Sequence, residues 1–200
     1  ESILATVLFS SNIVFWRQTG YFAQPLEAHP LLHTWSLGVE EQYYLVFPIL
    51  LVLIWRFFPR RIIGITFVLC ALSFGVNLLT VATAPRFAFY MAPPRVWELF
   101  IGALLAMGAL KPPRNGYWSE AGGFLGLVLI GAAILEFSKE TTFPGLAALL
   151  PAAGAAASIW SGGAESGRVT GPPSPPAPAW VGKMPYSLYM WHMTVVQLGD

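Results

Sequence analysis

Charge is scarce in this sequence. Only 10% of its residues are Asp, Glu, Lys or Arg, where soluble domains carry about a quarter, and a mean hydropathy of +0.60 marks an integral membrane protein. A net charge of +1 gives no reason to expect a nucleic-acid partner. Cysteine is nearly absent as well: Cys70 stands alone in an apolar run, which excludes an intrachain disulfide and leaves the compartment open. There is no Gly-rich phosphate loop, no Cys/His cluster with metal spacing and no G-x-S-x-G elbow. Soluble nucleotide chemistry and zinc chemistry are thereby set aside, and no metal ligands are expected. Short alternating segments of the kind that build a membrane barrel are also lacking.

What is present suits helices. Eight Trp, 19 Gly and 17 Pro fit a bundle with interfacial anchors and close or broken packing. The expected fold is all-α, a polytopic transmembrane helical bundle with about seven membrane segments in one domain over residues 1–200. Residues 3–16 read as the end of a cut helix, and 37–57 as a second span with Pro48 inside it. The third span, 62–84, carries no charge. A fourth runs over 95–110 behind Pro93 and Pro94, and 122–137 and 144–160 are packing helices. Residues 161–180 form a flexible Gly/Pro-rich loop, and a seventh helix starts after Lys183. The chain opens on Glu1 and ends soon after that last helix begins, so it is expected to be a fragment. Arginines and lysines gather on one set of alternate connections, Arg56, Arg60, Arg61, Lys111, Arg114, Arg168 and Lys183, which would make that side cytoplasmic.

Chemistry is expected where ionisable residues run into an apolar segment, HTWSLGVEEQYYLVFP from His33 to Pro48. On a helix His33, Leu37, Glu40 and Tyr44 share one face, and Glu41 with Tyr44 forms a second pair. An ionised residue at mid-bilayer costs roughly 2.5–3.5 kcal/mol, so such a group normally faces a protein interior or a wet cavity. Two readings stand side by side. In one, Trp35, Tyr43 and Tyr44 form an interfacial belt above solvated carboxylates at a helix N-terminus. In the other, a carboxylate bonded to a phenol or imidazole orients a base or binds a substrate hydroxyl. Arg95 and Glu98 are one turn apart and suit an intrahelical ion pair, or a site for an anionic group. His192 suits a hydrogen bond to a neighbouring helix.

The residues HTWSLGVEEQYYLVFP resemble the signature of the membrane-bound acyltransferase 3 family, in particular its O-antigen and polysaccharide O-acetyltransferase branch. SSNIVFWRQTGYF, RVWELFIGALLA and YSLYMWH are similar to three further motifs of that family, in the family's order. The resemblance implies a multi-pass protein of the inner (plasma) membrane. It would pass an acyl group, typically acetyl, from an acyl-CoA donor to a hydroxyl of a cell-envelope glycan such as O-antigen, with no bound cofactor. It implies catalytic support from Glu40 and Tyr44, and substrate contacts from His33, Glu41, Arg95, Glu98 and His192. The principal histidine would lie in an earlier helix that these residues do not include, so the piece alone would be inactive. A transporter or scaffold for a glycan or an ion, using Glu40, Arg95 and Glu98 without acyl transfer, is the alternative.

Overall fold

The computed structural model describes residues 2–18, 31–138, 140–163 and Tyr189. Among these residues every regular element is helical. They fall into two compact units: one built from Glu1–Ile49, Tyr90–Ala92 and Pro173–Asp200, the other from Leu50–Phe89 and Pro93–Pro172. The division falls inside a single helix, directly after the pair Pro48 and Ile49.

In the first unit the segment expected as one cut helix is two, α1 (Ser2–Val7) and α2 (Ser11–Gln18). The break is at Phe9, whose φ of 53° lies in the left-handed region, and the Ser10 amide closes the turn on the Ala5 carbonyl at 2.8 Å. Next comes α3 (Thr34–Phe57), 24 residues long. Gly38 is the point where α3 meets the start of α2, since a Cβ there would lie 3.0 Å from Ser11 Oγ and 3.1 Å from Asn12 Oδ1. The buried interior around it is polar. Ser11 Oγ donates to the Thr34 carbonyl at 2.7 Å, and Asn12 Nδ2 donates to the Tyr90 carbonyl at 3.2 Å. Gln42 Nε2 donates to Asn12 Oδ1 at 2.9 Å and to the Phe9 carbonyl at 2.8 Å.

The second unit takes the rest of α3, then a 3-10 turn (Pro59–Arg61), α4 (Ile62–Thr83), α5 (Pro85–Tyr90, which ends in the first unit), α6 (Trp97–Ala106), α7 (Gly116–Glu136) and α8 (Leu149–Gly162). Here α6 packs on α4 and α8, and α7 pairs with α8. Local chemistry sets the bounds. The fourth expected helix stops four residues early because Gly108, at φ 76°, closes a Schellman motif: Gly108 N–H reaches the Leu105 carbonyl and Ala109 N–H the Leu104 carbonyl, each at 3.0 Å. The fifth begins six residues early because Asn115 caps it, its side chain accepting from Tyr117 N–H at 3.0 Å.

Of the roughly seven segments expected, three reach spanning length among the described residues: Thr34–Phe57, Pro59–Thr83 and Gly116–Glu136. About 20 residues are needed to cross a hydrocarbon core of roughly 30 Å, and α6, with 10 residues, is apolar but short. The long helices present apolar side chains outward, Val52 at 63%, Phe67 at 63% and Leu135 at 85% exposure, a surface that suits lipid. The expected loop 161–180 lies outside the described residues beyond Gly163, and so does the seventh helix except for Tyr189.

Glycines seat α7 on α8. A Cβ on Gly126 would meet the Gly154 carbonyl at 2.7 Å, the Ser158 amide nitrogen at 2.9 Å and the Ser158 hydroxyl. Two of these are backbone atoms that cannot rotate away. Gly126→Ala should therefore cost about 1–3 kcal/mol, the usual penalty of overpacking, whereas Gly131→Ala on the same helix, where nothing lies within 4 Å, should be neutral or stabilising. Thermal unfolding of the two variants in detergent measures the difference.

Candidate functional site

The polar start of α3 is built inside the first unit. His33 precedes the helix and is buried at 9%, and Thr34, which opens it, is fully buried. Tyr189 sits on this corner: its hydroxyl donates to the His33 carbonyl, its ring stands edge-on to the His33 imidazole at 5.4 Å between centroids, and Ser36 Oγ lies 2.5 Å from its Oη. With the phenol's proton given to the carbonyl, Ser36 is the donor in that last contact. Glu40 lies one turn beyond Ser36 on the same face and is close enough to the Tyr189 hydroxyl to act on it electrostatically. Both Glu40 and Glu41 are half-buried. A carboxylate, a serine hydroxyl, a phenol and an imidazole thus gather within two turns of a membrane-length helix.

The phenol one turn beyond Glu40 lies at the surface. Tyr44 is 57% exposed and shares no hydrogen bond with Glu40 among the described residues, while its neighbour Tyr43 is buried at 8% and stacks on Phe47 at 4.7 Å. Identical spacing along a helix fixes direction only; the neighbours decide what is covered. His33 and Leu37 are buried, Glu40 is half-buried and Tyr44 is exposed, so the face runs from interior to surface within three turns.

A second polar centre stands in the other unit. Arg95 Nη1 lies 3.2 Å from Glu98 Oε1, with the two side chains 14% and 30% exposed, and the guanidinium lies over the Phe143 ring at 5.4 Å. The ion pair is positioned from α4. Ser73 Oγ donates to the Pro93 carbonyl at 2.6 Å and accepts from Trp97 N–H at 3.0 Å, and Asn77 Nδ2 donates to the Pro94 carbonyl at 2.9 Å. These bonds hold both prolines and the first turn of α6. The Trp97 ring, 1% exposed, meets Phe74 edge-on at 4.8 Å. Among the described residues Glu98 is the one ionisable group lining an apolar slot of about 260 Å³ between α6 and α8, walled by Gly102, Phe143, Ala152 and Ala155 among others. No group of three or more His, Cys, Asp or Glu able to hold a metal occurs among the described residues. His192 lies outside them.

Several positioning residues carry no charge and were not singled out from the sequence: Ser36, Gln42, Ser73 and Asn77. A signal existed for the last two. Thr66, Ser73 and Asn77 are all buried and recur at seven and four residues along the charge-free α4, a polar stripe on one face of an otherwise apolar helix.

Comparison with known proteins agrees with this arrangement of motifs. The family model described as "Acyltransferase domain", of the acyltransferase 3 type, matches residues 3–199. An uncharacterized protein of Haemophilus influenzae is 28% identical over 164 residues, covering 76% of this chain and 66% of that protein. The protein named O-acetyltransferase OatA in Staphylococcus aureus is 30% identical over 113 residues, 55% of this chain and 18% of its own length. The match thus spans just under two thirds of the first relative and a small part of the second. No solved structure matches the chain.

Proposed function

From the premise that this chain belongs to the acyltransferase 3 family, we propose that the protein of which it is part is an integral membrane O-acyltransferase of the inner (plasma) membrane. It carries an acyl group, acetyl in the first instance, from acyl-CoA to a hydroxyl of an envelope glycan such as O-antigen, through a bundle of about seven membrane segments in this region. The observation that carries the reading is the half-buried Glu40, one turn from the Ser36, Tyr189 and His33 cluster, in a helix that carries no Asp, Glu, Lys or Arg over residues 42–55. A carboxylate held there at a cost of this size suits a task rather than packing.

In the proposed reaction a base removes the proton of the acceptor hydroxyl. The alkoxide-like oxygen attacks the thioester carbonyl, the C–S bond breaks, and the CoA thiolate leaves and is protonated. The family resemblance gives the principal base to a histidine of another helix, so Glu40 orients that base or the acceptor. Tyr44, exposed one turn further along, offers its hydroxyl to the acceptor, and His33 and Glu41 flank the same approach. Glu98 lines the apolar slot in its own unit and Arg95 is paired with it, so that the guanidinium offers donors to an anionic oxygen brought there. His192 is retained as a further substrate contact.

The test uses the full-length protein in membrane vesicles with [acetyl-14C]acetyl-CoA and purified envelope glycan. Base-labile label in the glycan, together with release of CoA thiol, is the expected result. Label that never leaves the donor, under conditions where the vesicles move intact glycan or an ion, would replace the proposal with the transporter alternative.

A further inference from the structure

We propose that the turn joining α3 to α4 is a docking surface for anionic phospholipid headgroups. Two consecutive helices of spanning length, Thr34–Phe57 and Pro59–Thr83, meet there. A turn between two successive crossings lies at a membrane face whichever way the pair is inserted. Within six residues it carries Arg56, Arg60 and Arg61, all exposed, and among the described residues none of the three is paired with a carboxylate. The 3-10 turn that holds two of them buries no side chain at all.

Three free guanidiniums call for anionic oxygen, and their planar forks match phosphate. The neighbouring side chains decide which phosphate. Trp55, Phe57 and Phe58 are 66%, 68% and 54% exposed. In water, three bare aromatic rings in four residues would be unfavourable; at the headgroup level each ring rests against acyl chains while the arginines meet the phosphates above. The turn has no wall to enclose a soluble nucleotide. A bilayer surface supplies both the apolar layer and the charged one, so charge and apolar exposure are matched by a single partner. The inference does not depend on the acyl-transfer reading, because it concerns a different part of the chain and no reacting group.

The experiment compares the full-length protein in nanodiscs of phosphatidylcholine and of phosphatidylcholine with phosphatidylglycerol, followed by native mass spectrometry of retained lipid. A basic residue near an anionic surface is worth about five-fold in affinity, so the wild type should prefer phosphatidylglycerol by on the order of 100-fold at low salt. The triple variant Arg56→Gln, Arg60→Gln, Arg61→Gln should lose that preference and the corresponding Lys variant should keep most of it. If the triple Gln variant fails to assemble, Arg60→Gln with Arg61→Gln, in a turn that buries nothing, should still lower the preference by about 25-fold. Equal retention of the two lipids by the wild type would overturn the proposal. So would displacement of phosphatidylglycerol by adenosine 3′,5′-bisphosphate, which would assign the arginines to a soluble phosphate.

Discussion

Glu40→Gln in the full-length protein should lower acyl transfer by roughly 100-fold, at the lower end of what a general acid or base contributes, because Glu40 is proposed to act on the base rather than to be it. The amide preserves volume and can still accept a hydrogen bond, but it cannot carry the negative charge that orients an imidazolium or polarises a hydroxyl. Membrane level and thermal stability should not fall, since Glu40 is only half-buried and makes no hydrogen bond or ion pair among the described residues. Tyr44→Phe should cost no more than about 10-fold, the worth of one neutral hydrogen bond, and should act through the acceptor KM because that hydroxyl is exposed. The measurement is the initial rate of CoA thiol release against acceptor concentration. Wild-type rates in both variants would remove this face of α3 from the reaction.

Arg95→Met should be the most damaging substitution for the second unit. It leaves Glu98, 30% exposed at the edge of an apolar slot, without its partner at 3.2 Å, and it removes the guanidinium from the Phe143 ring. Breaking a buried pair from one side costs about 3–5 kcal/mol; the residual exposure of Glu98 places this case near 3 kcal/mol. Adding Glu98→Gln should recover part of the loss, because the expense lies in the unpaired carboxylate more than in the missing attraction. Unfolding of the three variants in detergent, treated as a double-mutant cycle, gives the coupling. Additive losses would show that the two side chains act independently.

Legibility differs from element to element for identifiable reasons. The spans at α3 and α4 are legible to within three residues, because the charge-free runs 42–55 and 62–83 have few other fates and Arg56 and Pro59 punctuate them. For the fourth segment the sequence predicts a helix over 95–110 and the structure has Trp97–Ala106, since nothing in ALLAMGAL says that Gly108 will close a Schellman turn instead of continuing the helix. For the first segment the sequence predicts one helix because its apolar residues run on through Leu8 and Phe9; the break at Phe9 is held by the Ser10 to Ala5 bond. At the site, spacing placed Glu40 one turn before Tyr44 but could not tell Tyr43 from Tyr44. Which of two adjacent phenols is buried depends on what packs against the helix: Tyr43 is 8% exposed and Tyr44 57%, a difference that residue order does not contain.

By itself the sequence determined that this is a membrane-embedded, all-helical chain, where its polar faces lie along the helices, and which family its four motifs resemble. All of these follow from composition, period and residue order, which are properties of the chain before it folds. The tertiary structure decided which polar groups meet: Tyr189 with Ser36 and the His33 carbonyl across more than 150 residues, Asn12 with Gln42 and the Tyr90 carbonyl, Ser73 and Asn77 with the two prolines ahead of α6. The physical reason is that a buried donor or acceptor must find its partner wherever packing brings one, at about 1–3 kcal/mol for each left unmade. Periodicity reports the face a side chain occupies, and only the packed neighbours determine what that face touches.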